Sequence, residues 1–151
     1  VKDCAWWASL TMADARAGLD AVRDQLQMVD ADGVEYWAAP VDELPPRAPA
    51  PTVLLLQGYD EYTVGYAQSK PLLNLDGWVQ SFTDRPLYNG VIVLDSQVIG
   101  PWKRSIAKDE VVIDAATYRP LDGTETRALH EGADHHGRFL GVRAALRLAQ
   151  L

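Results

Sequence analysis

The stretch NGVIVLDSQVIGPWKRSIAKDEVVIDAA (residues 89–116) decides the fold, because it holds three runs rich in valine and isoleucine. Short turns at residues 96–97 and 108–109 separate the runs. Valine and isoleucine favour the pleated, half-buried surface of a β-sheet. The stretch therefore predicts a three-stranded antiparallel meander. Pro101 in the second run predicts either an edge position or a bulge, since proline cannot donate to a strand ladder.

A helix is predicted directly after the meander. Asp122 and Glu125 have the spacing of a capping box at a helix N-terminus. One face of the helix then carries residues at steps of three and four: Leu129, Ala133, His136 and Leu140. The tail VRAALRLAQL (residues 142–151) predicts a further short helix.

The same helix contains HEGADHH (residues 130–136), which resembles the zinc-protease motif only loosely. That motif needs two histidines four residues apart, but Asp134 stands four residues after His130. His130, Asp134 and His135 could still assemble a metal site. Gly132 weakens the helix that would hold it. We therefore predict exposed surface histidines and no metal.

Before the meander, VLLL (residues 53–56) predicts a buried strand that leads into QGYDEYTVGY (residues 57–66). Neighbouring residues of an extended strand point to opposite faces. A pair of carboxylates that cleaves a glycosidic bond must instead face one cavity. Asp60 and Glu61 are therefore interpreted as a structural corner, in which Asp60 accepts backbone N–H groups.

The first forty residues predict two helices and a hairpin. Thr11 and Asp14 have capping-box spacing at the start of TMADARAGLDAVRDQL (residues 11–26). QMVDADGVEYWA (residues 27–38) has two strand-like runs around a glycine-containing loop, which is typical of a β-hairpin. A short helix precedes both. This order is that of the second half of a winged-helix domain, without its first helix.

The chain divides at a proline-rich segment. Residues 40–52 contain five of the nine prolines, and proline favours stiff, extended chain. We predict a module at residues 1–39, a linker at 40–52 and a second module at 53–151.

Composition limits the classes of protein. The 151 residues are 48% apolar, which is enough for a core. No apolar run is long enough to span a membrane. The single cysteine, Cys4, excludes an internal disulfide and a cysteine zinc site. We expect a cytoplasmic protein, and the abundance of alanine, arginine, aspartate and leucine suggests a bacterium. The net charge of −7 opposes nucleic-acid binding except through a local basic face.

Several motifs together resemble one family. They are YDEYTVGY (residues 59–66), VIGPWKR (98–104) and GRFLG (137–141), with DCAWWASLTMADARAGL (3–19) and VEYWA (34–38) upstream. In this order they resemble the C-terminal part of the bacterial winged-helix DNA-binding proteins that include the interstrand-crosslink DNA glycosylases.

The resemblance implies an α+β fold. A partial winged helix, made of a helix-turn-helix and a β-hairpin wing, would precede an antiparallel β-barrel-like domain with a closing C-terminal helix. The family signature would include five residues that are structural or line a cleft: Asp60, Glu61, Tyr62, Gly65 and Tyr66. One of the two carboxylates could alternatively face a DNA cleft.

The resemblance also implies DNA as the partner, through a longer protein. The glycosylases carry a catalytic Gln-x-Gln upstream of anything present here. Gln25 and Gln27 lie at the helix-to-hairpin junction and are interpreted as coincidence. We therefore expect no catalytic residue and no cofactor in this chain, which would be a fragment of the longer protein.

Candidate DNA contacts lie in both modules. Trp102 could stack on a base while Lys103 and Arg104 meet phosphates; alternatively, Trp102 is a core tryptophan beside two solvated charges. Arg16 and Arg23 are the candidates on the second helix, unless ion pairs with Asp20 occupy that face. Trp6, Trp7, Trp37 and Trp78 are expected in the core. The alternative function is a non-enzymatic scaffold that binds a protein or a small ligand.

Overall fold

A computed structural model gives the fold and describes residues 1–31, 33–41, 46, 49, 51–79 and 90–151. The chain forms two compact units. Unit one comprises Val1–Arg47 and Val64–Ser69, and unit two comprises Ala48–Thr63 and Lys70–Leu151. The proline-rich linker predicted at residues 40–52 lies largely outside the described residues, and the predicted three-part division stays a prediction.

Unit one contains two helices and a β-hairpin. Its elements are α1 (Lys2–Trp7), α2 (Met12–Val22), a 3-10 turn (Arg23–Gln25), β1 (Gln27–Ala31) and β2 (Val34–Ala38). The Thr11 hydroxyl caps α2 by accepting the backbone N–H of Asp14 at 3.1 Å. β1 and β2 pair antiparallel from Gln27 opposite Ala38 to Ala31 opposite Val34. The predicted order of helix, helix and hairpin is confirmed, and its assignment to a winged helix stays a prediction.

The expectation that the tryptophans lie in the core is wrong for three of them. Trp6, Trp7 and Trp78 are 61%, 55% and 42% exposed. Trp37 is half-buried. The buried hydrophobic residues of unit one, within the part that the structure describes, are the small side chains Ala5 and Ala15. The rings of Trp6 and Trp7 therefore do not belong to the core of unit one.

Unit two is built on a five-stranded sheet. Its strands are β3 (Val53–Leu56), β4 (Gly90–Leu94), β5 (Gln97–Ile106), β6 (Glu110–Thr117) and β7 (Arg143–Gln150), in the order β3-β4-β5-β6-β7. Between them lie the one-turn α3 (Glu61–Val64), whose last residue belongs to unit one, a 3-10 turn (Lys70–Leu73) and α4 (Gly123–Leu140). The predicted meander is confirmed as β4, β5 and β6.

Pro101 is tolerated in a central strand because a bulge precedes it. Ile92 pairs with Gly100 but Val93 pairs with Val98, so Ile99 is an extra residue on β5. Of the two positions predicted for Pro101, the structure has the bulge and not the edge. Gly100 is required here, because a Cβ atom would lie 1.9 Å from the carbonyl oxygen of Ala116.

The tail is a strand, and the prediction of a final helix is wrong. Gly141, with φ of 72°, ends α4 in the left-handed conformation. The following β7 then pairs parallel to β6, from Glu110 opposite Arg143 onward. Arg143 forms an ion pair with Glu110, and Arg147 lies 3.8 Å from Asp114. Pairing with β6 therefore outweighs the helix propensity of this alanine- and leucine-rich segment.

The α+β class is confirmed, but the described strands do not close into a barrel. β3 and β7 are both edges of the sheet, and its last pair is parallel instead of antiparallel. The helix α4 begins with the predicted capping box of Asp122 and Glu125. It connects β6 to β7 and packs on β3 and β7, so it covers the sheet and does not end the chain.

Both faces of the sheet are covered in unit two. Ile92, Ile113 and Trp102 lie with Leu129 and Ala133 of α4 in one buried cluster. On the other face, Leu73 and Val79 pack against alternate residues of β4 and β5: Val91, Val93 and Val98. The apolar face predicted for the helix is confirmed, with Leu129 and Ala133 buried and His136 and Leu140 half-buried.

Candidate functional site

A cavity of about 680 Å3 in unit two brings three predicted motifs together. It is lined by residues 57–60 after β3, by residues 102–104 of β5 and by His136 of α4. We call it the cleft. Since the strand order β3-β4-β5 sets the first two motifs one strand apart, the sheet itself positions them.

Trp102 forms the floor of the cleft. It is 6% exposed, and its indole Nε1–H donates to the carbonyl oxygen of Leu56 at 2.8 Å. A Cβ atom at Gly90 would lie 2.2 Å from both of these atoms, so the close approach needs glycine. The structure therefore gives the second of the two predicted roles, a core tryptophan. A buried ring leaves no open face for a base to stack on, and that part of the expectation is corrected.

Arg104 and His136 meet across the cleft. Arg104 Nη1 lies 3.0 Å from His136 Nε2. The imidazole packs edge-on against the Trp102 ring, with centroids 5.3 Å apart and planes at 75°. Burial lowers the pKa of His136, and the charge of Arg104 lowers this pKa further. Because a guanidinium can only donate, His136 Nε2 must be the unprotonated acceptor.

Lys103 lies at the rim of the cleft and is exposed. It also lines a smaller cavity of about 290 Å3 with Asp114 and Arg147. Within the described residues, no hydrogen bond or ion pair engages its ammonium group. The two predicted phosphate contacts, Lys103 and Arg104, are therefore both open to solvent.

The predicted corner at Asp60 is a helix start. Asp60 Oδ1 accepts the backbone N–H of Tyr62 at 3.0 Å, and its carbonyl accepts that of Thr63 at 2.9 Å. Glu61 is exposed and begins α3, so the two carboxylates do not lie on an extended strand. The Tyr62 hydroxyl donates to the carbonyl of Ser96 at 2.8 Å. Asp60 thus accepts a backbone N–H as predicted, although within a helical turn.

The second half of the signature belongs to unit one, where Asp3 binds the residues that directly follow it. Gly65 and Tyr66 lie in this segment. Asp3 Oδ1 accepts the backbone N–H groups of Ala67 and Gln68 at 2.7 and 2.6 Å. Its other oxygen accepts the hydroxyl of Ser69.

Burial alone would raise the pKa of Asp3, but the Ser69 hydroxyl and the backbone N–H groups outweigh it and hold this pKa below its usual value. The indole N–H of Trp6 also donates to Val64 O at 2.8 Å. The sequence contains no local pattern from which this role of Asp3 could be read.

The predicted contacts of the second helix belong to unit one, whereas the residues of the cleft belong to unit two. Arg23 Nη2 lies 3.0 Å from Asp20 Oδ1, and its guanidinium stands 4.8 Å from the centroid of the Trp37 ring. Arg16 is exposed on α2. For Arg23 the structure therefore shows the predicted ion-pair alternative.

Unit one has a cavity of its own, of about 450 Å3. Its lining is mainly apolar and includes Leu10, Leu19, Val22, Leu26 and Trp37. Across the described ranges, no three histidine, cysteine, aspartate or glutamate side chains are grouped to hold a metal, so His130, Asp134 and His135 do not come together as ligands. Nor is any described helix long and apolar enough to cross a membrane.

Residues 1–139 match the family described as DNA glycosylase AlkZ-like, and the chain belongs to this family. The solved structure of Streptomyces sahachiroi DNA glycosylase AlkZ is similar, with a TM-score of 0.69 and 25% sequence identity. The similarity covers 93% of this chain and 38% of that chain. No curated protein matches. The resemblance to the glycosylase family is confirmed, while the correspondence to a C-terminal part stays a prediction.

Proposed function

We propose that this chain is a DNA-binding part of a DNA-repair protein of the glycosylase type, and that the cleft contacts the phosphate backbone. Family membership supports the general function. The similar glycosylase structure is much longer than this chain, so the activity would belong to a longer protein. Gln25 ends a 3-10 turn and Gln27 begins β1, and in this proposal neither residue is catalytic.

One observation carries the choice of the cleft: the partner of Arg104 is neutral. In the part of the chain that the structure describes, four other arginines pair with carboxylates, namely Arg23, Arg119, Arg143 and Arg147. A carboxylate cancels the charge that a phosphate would meet. A neutral imidazole orients the guanidinium and leaves its charge intact, which suits a charge-assisted bond to phosphate.

Unit one would contribute less to the affinity. In this proposal its two helices and hairpin are the end of a winged helix, and the exposed Arg16 on α2 is its contact. The hairpin tip carries the carboxylate of Asp30, which accepts the N–H of Gly33 at 3.1 Å and would repel phosphate. Arg23 is occupied by Asp20. Both features favour the cleft as the main phosphate contact.

The test is the salt dependence of DNA binding. The affinity of a fluorescein-labelled duplex is measured by anisotropy over a range of salt concentrations, for the wild type, Lys103→Ala and Arg104→Ala. Each lost phosphate contact lowers the slope of log K against log salt by about one. Each variant is therefore expected to bind more weakly and to show this smaller slope.

Arg127→Ala is the matched control. Arg127 is an exposed cation on α4 nine residues before His136, which is about 13 Å along the helix axis and on its opposite side. The control is expected to keep the wild-type slope. If Lys103→Ala and Arg104→Ala also keep it, the cleft does not contact DNA and the proposal fails.

The apolar cavity of unit one favours a second candidate, a scaffold that binds a protein or small apolar ligand. Preformed apolar cavities of a few hundred Å3 are typical of ligand sites. An apolar dye whose fluorescence rises on binding, and falls with Leu19→Trp, would support it. The scaffold would replace the first proposal if, in addition, DNA fails to bind at low salt.

A further inference from the structure

The contact between Arg104 and His136 has a consequence for ligand binding, provided that the proposed phosphate contact holds. The neutral imidazole of His136 accepts from Arg104 Nη1. A phosphate oxygen is a stronger acceptor than an imidazole, because it is charged. A phosphate in the cleft would therefore take the Arg104 N–H and leave His136 Nε2 without its donor.

The charged residues that line the cleft with His136 come from two segments. Arg104 and Lys103 on β5 are cations, and Asp60 after β3 is the one carboxylate among the described residues of the lining. The phenol of Tyr59, next to Asp60, is the other titratable group of this lining. On α4 itself, the residues one turn away are uncharged: Gly132, Ala133, Phe139 and Leu140. The ionic state of His136 thus depends mainly on Arg104 and on whatever occupies the cleft.

We propose that His136 is a phosphate-binding residue that takes up a proton from solvent when a DNA phosphate binds beside Arg104. The proton settles on Nε2, which then donates to a phosphate oxygen. His136 becomes an additional cation of the site. Its imidazole is therefore neutral without a bound phosphate and positively charged with one. The same protonation would be unfavourable in the empty cleft, next to the guanidinium.

The direction of the pH dependence follows from linkage. In the free protein, burial and the Arg104 charge lower the pKa of His136. A bound phosphate raises this pKa, because its negative charge favours the imidazolium. Between the free and the bound pKa, binding takes up one proton, and the affinity rises by up to about tenfold for each unit that the pH falls. Outside this window the affinity stops changing.

An oligothymidylate without terminal phosphates is a suitable probe, since neither thymine nor a phosphodiester titrates near neutral pH. Its affinity for the full chain is measured by anisotropy at constant salt between about pH 8 and pH 6, the range of histidine titration. The wild type is expected to bind about five- to tenfold more tightly at pH 6.

His136→Gln keeps an acceptor for Arg104 but cannot be charged, so its affinity should change less than twofold over the same range. His135→Gln is the matched control: His135 is exposed on the same helix and does not line the cleft. It should keep the wild-type pH dependence. The inference is overturned if His136→Gln keeps that dependence as well.

The pKa of His136 in the wild type, followed by NMR with and without saturating oligothymidylate, tests the same point without a variant. It should rise on binding. If Arg104→Ala weakens binding but the His136 pKa does not rise, the phosphate contact stands and the proton uptake is refuted. If the oligothymidylate fails to bind at any pH, both fail.

Discussion

The two units differ most in what they bury. Within its described residues, unit two has six fully buried large side chains: Ile92, Ile113, Leu129, Val91, Val98 and Val111. Within the described part of unit one, the buried hydrophobic residues are alanines, and Trp6, Trp7 and Met28 are exposed. Burial of large apolar side chains is the main favourable term in folding. Unit two should therefore account for most of the free energy of unfolding.

The units also differ in charge. Acidic residues outnumber lysine and arginine by nine to four in unit one and by twelve to ten in unit two. A strongly acidic surface repels DNA, whereas a nearly balanced one permits a local basic site. The net charge of the whole chain therefore says little about where a polyanion can bind.

The largest expected effect is at the bulge of unit two. Gly100→Val places a Cβ atom against the backbone of β6, 1.9 Å from Ala116 O, and backbone cannot move aside as a side chain can. We expect a loss of about 3 kcal/mol or more in unfolding free energy, or no folded unit two. Urea denaturation followed by circular dichroism measures it. Gly132→Ala is the control, since its nearest neighbour is 3.6 Å away. A normal midpoint for Gly100→Val would contradict the geometry.

Leucine truncation compares the two interiors directly. Leu129 is 0% exposed, so Leu129→Ala should cost about 2–5 kcal/mol. Leu19 of unit one is half-buried beside the unit-one cavity, so Leu19→Ala should cost about 1 kcal/mol. Both are measured by urea denaturation. Equal losses of unfolding free energy in the two variants would contradict the inference that unit two has the more tightly packed interior.

Asp3 tests whether polar contacts hold unit one. Asp3→Ala leaves three backbone N–H groups and a hydroxyl without their acceptor, which should cost about 1–3 kcal/mol. Amide hydrogen exchange at residues 67–69 should accelerate, while that of β4–β6 should not. Asp3→Asn, which keeps one acceptor oxygen, should have an intermediate effect.

The pH dependence of this contribution has a definite sign. The pKa of Asp3 is lower in the folded protein than in the unfolded chain. Its contribution is therefore complete above the unfolded pKa and is lost as the pH falls through the folded pKa. An Asp3→Ala variant that loses as much stability in acid as the wild type would contradict this assignment.

The smallest expected effect is a gain. Gly18 lies inside α2 with no atom within 4 Å of a Cβ position. Gly18→Ala should stabilise unit one by about 0.5–1 kcal/mol, because alanine favours the helix. Amide exchange in α2 measures it. A loss of stability would mean that the position is more crowded than the structure shows.

The sequence predicted the parts of the fold that depend on neighbouring residues. The meander, the hairpin and the cap at Asp122 all follow from patterns within a few residues. β7 was missed because its alanines, leucines and arginines favour a helix locally. Its strand form depends on β6, which lies beyond an 18-residue helix.

The cleft was predicted only in part, for a similar reason. Lys103, Arg104 and Asp60 were singled out by residue type, but their common cavity depends on the strand order. His136 was assigned to the packed face of α4 without its contact to Arg104. That contact joins residues 32 positions apart, and no local pattern encodes it.

The strand order also predicts the order in which the strands pair during folding. β4, β5 and β6 follow one another through short turns, while β3 and β7 reach the sheet over long stretches of chain. Pairing between distant segments forms more slowly than local pairing. The central hairpins are thus the expected folding nucleus, and the edge strands join last.

The cleft depends on this late step. The hydrogen bond from Trp102 to Leu56 connects β5 to the edge strand β3, so the cleft forms only after β3 has joined the sheet. Any ligand of the cleft would accordingly bind the complete sheet and not a folding intermediate in which β3 is still unpaired.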